Sequence, residues 1–174
     1  MRLDHIAYRT ADRKESAKFF QDCLHYTIGT EFDLKFDDGT VTDCIALLPP
    51  EDRAVDANHW RLIVGDMDQR AELHGPEGSI VGDWVAAREG VGGVHHIAYE
   101  VEGVAPVMRE WKSRGYAEFY SEEPLICEET NLEQVFTKPS KLTGIIYELI
   151  SRGQDNKGFC QANIKGLMES TRGE

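Results

Sequence analysis

The tetrapeptide His-Ile-Ala-Tyr occurs twice in the chain, at residues 5–8 and at residues 96–99. Each copy lies in a stretch, LDHIAYRT or VHHIAYEV, whose branched, aromatic and apolar side chains predict a strand. A segment with apolar residues at helical spacing follows each copy, ADRKESAKFFQDCLHY in the first half and VAPVMREWKSRGY in the second. This internal repeat constrains the fold, because both halves must form the same unit and share one core.

Further segments predict about three more strands in each half. They are YTIGTEFDLKF, TVTDCIALLPP, HWRLIVGDM and RAELHGP in the first half, and AEFYSEEPLIC, LEQVFTKP and TGIIYELISR in the second. The sequence therefore predicts one α+β domain of two βαβββ modules, residues 1–90 and 91–153, that enclose a cleft. Residues 154–174 predict a C-terminal helix, which either closes over the cleft as a lid or docks permanently on the sheet.

Composition excludes several classes of protein. The formal charge of −12 argues against nucleic-acid binding, because neutralising phosphates requires clustered lysine and arginine. No apolar run approaches the roughly 18 residues of a membrane span, and the N-terminus lacks an apolar signal segment, so we expect a cytoplasmic protein. The cysteines are far apart in sequence, and we expect buried free thiols rather than disulfides; they are Cys23, Cys44, Cys127 and Cys160.

His5 and His96 are candidate metal ligands, because they occupy equivalent positions of the repeat. A single histidine at the start of a strand is more often a core or surface residue. Two histidines in matching strands, however, would meet across the cleft, and imidazole is a common metal ligand. Since side chains alternate along a strand, we expect only one of His95 and His96 to face the cleft.

Glu148 is the third candidate ligand. It lies in the apolar segment GIIYELISR, where a carboxylate must be paired or bind a metal, since an isolated buried charge is costly. Pairing with Arg152 or Lys138 is the alternative. Two histidines and one carboxylate form the facial triad associated with iron(II), which leaves open positions for substrate and oxygen.

These features resemble the vicinal oxygen chelate superfamily, which includes glyoxalase I, methylmalonyl-CoA epimerase, extradiol dioxygenases and 4-hydroxyphenylpyruvate dioxygenase. The resemblance covers residues 3 to about 153 and rests on the paired units, the two HIAY strands and the closing YELISR. It implies paired βαβββ modules around one divalent metal, with His5, His96 and Glu148 as ligands, and it is compatible with a homodimer. Bleomycin-resistance-type binding proteins share this fold without a metal, and the three candidate ligands argue against that alternative.

The last third of the chain resembles 4-hydroxyphenylpyruvate dioxygenases. In LEQVFTKP, Gln134 matches a glutamine that holds substrate, and GFCQANIKGLMES resembles the C-terminal segment whose helix closes over the iron. This match implies substrate contacts from Phe159 and Asn163. Ile164 stands where that family has a phenylalanine that packs against the aromatic substrate. The resemblance implies an Fe(II) dioxygenase that acts on a 2-keto acid.

The segment RAELHGPEGS supports a different chemistry. It resembles a strand of epimerases and glyoxalases in which a Glu or Gln four residues before a proline is a fourth metal ligand, and Glu72 has that spacing. His74 would share its strand face. Four protein ligands leave an octahedral ion two positions for a bidentate substrate, whereas a 2-keto acid and O2 need three. The corresponding reaction is proton transfer, with Glu72 or Asp43 as the base.

The sequence thus favours an Fe(II) dioxygenase of the 4-hydroxyphenylpyruvate dioxygenase type. A divalent-metal epimerase, isomerase or glyoxalase-type lyase is the second hypothesis, and a metal-free binding protein is the third. Manganese, cobalt, nickel and zinc are alternatives to iron, because both ligand sets accept several ions. The expected partner is a small molecule, a 2-keto acid or another carbonyl compound.

Overall fold

The structure is a computed structural model that describes residues 1–50, 70–75, 80–152 and 159–174. Its strands are β1 (Arg2–Arg9), β2 (Thr27–Lys35), β3 (Val41–Leu48), β4 (Arg70–His74), β5 (Gly93–Glu100), β6 (Leu125–Ile126), β7 (Glu133–Phe136) and β8 (Ile146–Ser151). Its helices are α1 (Arg13–Leu24), α2 (Ile80–Ala86), α3 (Val104–Ser113) and α4 (Gln161–Ser170). Within the described ranges, no helix has the length and apolar character that a membrane crossing requires.

The strands form one mixed sheet in the order β2-β3-β4-β1-β5-β8-β7-β6, which curls into a half-barrel. β1 and β5 carry the repeated tetrapeptide and pair antiparallel at its centre. β4 runs parallel to β1 and β8 runs parallel to β5, so the two halves match. This confirms the predicted α+β fold of paired βαβββ units. The module boundaries at residues 90 and 153 stay predictions, and the segment HWRLIVGDM lies outside the described ranges.

Helix α1 forms where the sequence predicts the first helix. Asp12 caps it by accepting hydrogen bonds from the backbone N–H groups of Lys14 and Glu15, both at 2.9 Å. The helix ends at His25, whose left-handed backbone (φ 60°) lets its N–H bond back to the last turn. The buried face of α1 packs on the outer side of β3 and β4 through Ala17. The inner side of the sheet is therefore left for other elements.

Helices α2 and α4 pack on that inner side. Three apolar residues of α4, Ile164, Leu167 and Met168, are buried there. Trp84 of α2 packs in the same cluster as Ile164 and Met168. Burying side chains of this size stabilises the folded state by about 1.5–3 kcal/mol each. Helix α4 is therefore docked in this conformation, and its predicted role as a lid stays a prediction.

The prediction of four buried free thiols is wrong. Cys127 and Cys160 form a disulfide, with Cα atoms 6.3 Å apart, although 33 positions separate them in the sequence. Cys23 is exposed, and Cys44 alone of the four is buried outside a disulfide. Sequence spacing could not reveal the pairing, because it depends on how close the N-terminal end of α4 lies to the turn after β6. The disulfide fixes the N-terminal end of α4 to that turn.

Candidate metal centre

Three buried side chains meet at the centre of the sheet. His5, Ala98 and Glu148 lie in one row across β1, β5 and β8, and His96 is two residues before Ala98 in β5. Residues in such positions share a face of the sheet. The structure therefore brings together the three residues that the sequence predicts as ligands. At most 6% of the surface of each is exposed.

The ligand atoms have the spacing that a metal ion requires. The Nε2 atoms of His5 and His96 are 3.2 Å apart, and the Oε2 atom of Glu148 lies 3.4 Å from the first and 3.1 Å from the second. Three ligand atoms at about 2.1 Å from one ion lie about 3.0 Å apart in facial octahedral geometry and about 3.4 Å apart in tetrahedral geometry. The residues present therefore fit a divalent metal ion bound on one face.

Glu148 is ionised in this environment. Burial alone would raise its pKa, but the neighbouring imidazoles of His5 and His96 outweigh burial and lower the pKa of the carboxyl to about 2. The Nε2 atom of Gln134 donates a 2.7 Å hydrogen bond to the Oε1 atom of the same carboxylate. Glu148 is thus held as an anion with Oε2 directed at the two histidines.

Asp4 and Arg152 orient His5. The Oδ1 atom of Asp4 accepts from the Nδ1 atom of His5 at 2.7 Å, which leaves Nε2 with a lone pair for a metal. Arg152 donates to both oxygens of Asp4, from Nε at 2.6 Å and from Nη2 at 2.7 Å. Burial would raise the pKa of Asp4, but Arg152 and His5 hold it well below its usual range. Sequence reasoning missed this support, although an aspartate directly before a candidate ligand was a usable signal.

The two alternative partners of Glu148 are engaged elsewhere. Arg152 pairs with Asp4, and Lys138 pairs with the exposed Glu118 at 3.2 Å. The alternative prediction, that Glu148 pairs with Arg152 or Lys138, is therefore wrong. Its carboxylate is compensated by imidazoles and an amide, which is the environment of a metal ligand.

Both ligand histidines follow a bulged residue. The register between β1 and β5 shifts by one residue at Asp4 and again at His95. Such β-bulges add a residue and change the direction of a side chain. The Nδ1 atom of His95 consequently lies 2.9 Å from the Nδ1 atom of His96, and both rings line one cavity. The expectation that only one of these two histidines faces the cleft is wrong, because strand alternation breaks at the bulge.

Gln134 and Asn163 connect the centre to α4. Asn163 donates to the Oε1 atom of Gln134 at 3.1 Å and to the carbonyl oxygen of Leu132 at 3.0 Å. Gln134 in turn donates to Glu148. The two amides predicted to bind substrate thus bond to each other and to a candidate ligand. Phe159 stands edge-on to His5, with ring centroids 6.1 Å apart.

A cavity of about 20 Å³ adjoins the three ligand atoms. Its other lining residues are Arg9, His74, His95, Gln134, Phe136, Phe159, Ile164, Leu167 and Met168. This volume accommodates about one water molecule. A larger substrate therefore needs the covering residues of α4 to move.

The remaining predicted residues differ in their placement. Because side chains alternate along β3 and the neighbours of Asp43 face inward, Asp43 faces the outer side of the sheet, where α1 lies. There it pairs with Arg13 at 2.9 Å. The structure therefore argues against Asp43 as a base in the cavity. His74 is buried and lines the cavity, with Nδ1 3.0 Å from the Sγ atom of Cys44. The backbone of Glu72 is in register with Ala7 of β1. Its side chain is outside the described part of the chain, so its predicted role stays a prediction.

Several solved structures with a fold similar to that of this chain are methylmalonyl-CoA epimerases. The enzyme from Mycobacterium tuberculosis has a TM-score of 0.62 and 19% identity, over 87% of this chain and 87% of its own. A variant of the Streptomyces coelicolor enzyme, in complex with 2-nitronate-propionyl-CoA, has a TM-score of 0.63 and 19% identity, over 88% and 98%. A selenomethionine form of a methylmalonyl-CoA epimerase has a TM-score of 0.66 and 20% identity, over 88% and 97%.

Comparison with protein-family models and with curated protein sequences gives no match. The structural likeness extends over nearly the whole length of the epimerases, at about one identical residue in five. Identity at this level shows the fold. The chain has the vicinal oxygen chelate fold, and His5, His96 and Glu148 meet in its cleft.

Proposed function

We propose that the protein is a divalent-metal enzyme that binds a carbonyl compound through two oxygen atoms and moves a proton next to the carbonyl. The observation that carries this proposal is the buried group of His5, His96 and Glu148, whose ligand atoms lie within 4.8 Å of one another. A divalent ion held there would polarise the carbonyl as a Lewis acid. The similarity in fold to methylmalonyl-CoA epimerases favours proton transfer over oxygen chemistry.

The protein's own residues prepare this chemistry in two ways. Asp4 and Gln134 fix the orientation of His5 and Glu148, so the ligand set needs little rearrangement when an ion binds. The apolar residues of α4 cover the cavity and shield it from bulk solvent, which strengthens electrostatic interactions inside it. We assign Glu72 as the fourth ligand or as the base, from its spacing to Pro76 and its register beside Ala7.

Two substitutions of Glu72 separate these roles. Glu72→Gln keeps an oxygen ligand but removes the base, whereas Glu72→Ala removes both. If Glu72 is a ligand only, we expect Glu72→Gln to retain metal binding and turnover. If it is the base, Glu72→Gln should retain metal and lose turnover. If metal content and turnover are unchanged in both variants, Glu72 is neither a ligand nor the base.

An Fe(II) dioxygenase is the second candidate. The observation that favours it is the hydrogen-bonded chain from Asn163 through Gln134 to Glu148, under a helix that covers the cavity. These residues match the segments that resemble 4-hydroxyphenylpyruvate dioxygenase. A three-ligand centre also leaves three positions for a 2-keto acid and O2.

One experiment distinguishes the candidates. Protein reconstituted anaerobically with Fe(II), Co(II), Mn(II) or Zn(II) is incubated in deuterated water with 2-keto acids and acyl-CoA thioesters. Metal-dependent incorporation of deuterium without oxygen uptake is the expected result. Oxygen uptake with CO2 release would establish the dioxygenase instead. Neither signal from metal-loaded protein would contradict both and favour a binding protein. Glu148→Gln removes a ligand oxygen, and Glu118→Gln at the surface is its control.

A further inference from the structure

The cavity is lined by a buried guanidinium, two of whose three nitrogen atoms have no partner in the described part of the chain. Arg9 is 1% exposed and lines the cavity that adjoins the ligand atoms. Its Nη2 atom donates to the Oγ1 atom of Thr171 at 2.9 Å. Among the described residues, Nε and Nη1 have no hydrogen-bond partner. A buried cation normally has a hydrogen-bonded counter-ion, and the described ranges provide none for these two atoms of Arg9.

The imidazole of His95 provides a third donor beside those of Arg9. When the Nε2 atom of His96 is a metal ligand, its Nδ1 atom carries the hydrogen and donates to the Nδ1 atom of His95 at 2.9 Å. The hydrogen of His95 must then be on Nε2. That atom is buried and has no partner within the described part of the chain. Arg9 and His95 therefore supply three nitrogen donors that have no hydrogen-bond partner among the described residues, and both side chains line the cavity.

The surroundings of these donors are basic. Arg88 lies behind Trp84, with its guanidinium carbon 3.7 Å from the ring centroid, and Arg9 is 5.7 Å from the same ring. Burial and the nearby charge of Arg88 lower the pKa of Arg9 to about 9, while Tyr120 and Glu174 act in the opposite direction. Among the described residues that line the cavity, Glu148 is the one carboxylate, and it contacts the histidine ligands instead of Arg9. An anion bound here would accept charge-assisted, bidentate hydrogen bonds from Arg9.

We propose that Arg9 and His95 bind an anionic group of the substrate, a carboxylate or a phosphate, at the end of the cavity away from the metal. This inference rests on the proposed function, because it concerns the same cavity. Arg9 is four residues beyond His5 on the same face of β1, about 13 Å along the strand between Cα atoms. Both side chains reach inward, so the anion lies several ångströms from the metal. The substrate therefore carries an anionic group separate from its two metal-binding oxygens.

Binding of small acids tests this inference without needing the reaction. Isothermal titration of the Zn(II)-loaded protein would compare acetate with malonate, succinate, glutarate and phosphate. We expect the dicarboxylate that spans both sites to bind about 10-fold or more tightly than acetate. Arg9→Met should abolish that gain, and Arg9→Lys should retain part of it. Phosphate that binds more tightly than every dicarboxylate, in an Arg9-dependent way, would support a phosphate as the group.

Two control variants separate recognition from structure. Thr171→Val removes the hydrogen bond between Arg9 and the residue that caps the C-terminal end of α4, and Arg88→Met removes a nearby charge that does not line the cavity. Both should keep the 10-fold gain. Equal dicarboxylate binding by Arg9→Met and the original protein would overturn the inference. Loss of the gain in Thr171→Val would also overturn it, because Arg9 would then act only by fixing α4.

The metal-free protein distinguishes failure of this inference from failure of the proposed function. If the centre binds no divalent ion, the proposed function fails. Arg9-dependent binding of phosphate or acetate to metal-free protein would still support the anion site. Anion binding that is identical in Arg9→Met and the original protein would refute the site whatever the metal does. Thermal melting of each variant verifies that it is folded.

Discussion

Replacement of Asp4 by asparagine should destabilise the protein and weaken metal binding together. Asp4 is fully buried and accepts from His5 at 2.7 Å and twice from Arg152, at 2.6 and 2.7 Å. In Asp4→Asn, an amide N–H group replaces one acceptor and faces a donor, and Arg152 loses its counter-ion. Removing one partner of such a buried pair costs about 3–5 kcal/mol of unfolding free energy. Loss of the support for His5 should lower metal affinity about 10- to 100-fold.

Urea unfolding of the metal-free protein and competitive Zn(II) titration measure the two effects. Asp43→Asn is the matched control, because Asp43 forms a partly exposed ion pair with Arg13 on the other side of the sheet. It should change stability by about 1 kcal/mol or less and leave metal affinity unchanged. If Asp4→Asn prevents folding, the double variant with Arg152→Met removes the guanidinium that lost its contact with Asp4 and should recover part of the stability. A loss below about 1 kcal/mol with unchanged Zn(II) affinity would refute the role given to Asp4.

Three further predictions follow from single contacts. Because the pKa of Glu148 is lowered to about 2 from an unperturbed 4.5, its contribution to the stability of metal-free protein should be complete above pH 4.5 and lost as the pH falls through 2. Urea midpoints across that range should show a smaller change in Glu148→Gln. Reduction of the disulfide, or serine at both Cys127 and Cys160, should cost about 3–4 kcal/mol for a loop of 33 residues, measured by unfolding with and without reductant. Leu167→Ala should lower the unfolding free energy by about 2–5 kcal/mol, measured by thermal melting, since Leu167 of α4 packs against Phe136 of the sheet. A decrease below about 1 kcal/mol would contradict the docking of α4.

The repeat and the strand periodicity predicted most of the architecture. Two copies of one tetrapeptide, each followed by a helical segment and then by several strand segments, predicted paired βαβββ units. The candidate ligands were predictable for the same reason. His5 and His96 occupy equivalent repeat positions, and Glu148 is a carboxylate in an apolar strand that needs compensation. These features are local or periodic, so they can be read along the chain.

The positions that sequence reasoning misjudged depend on contacts between distant segments. Cys127 and Cys160 look unrelated in sequence, and their pairing requires α4 to return to the turn after β6. Asp43 has the chemistry of a base, but its register in β3 directs it toward α1. Both outcomes follow from packing between elements, which composition and spacing do not encode.

The bulges at Asp4 and His95 show most directly what the tertiary structure decided. Period-two alternation predicts that neighbouring residues point to opposite sides, and the shifted pairing of β1 with β5 overrides it at both positions. Each bulged residue thereby contacts the Nδ1 atom of the ligand histidine that follows it. The sequence by itself determined the paired fold and the three ligand types. Only the meeting of the two halves decided how those ligands are oriented and placed Arg9 in their cavity, with donors that have no partner in the described part of the chain, because strand pairing across the centre sets both.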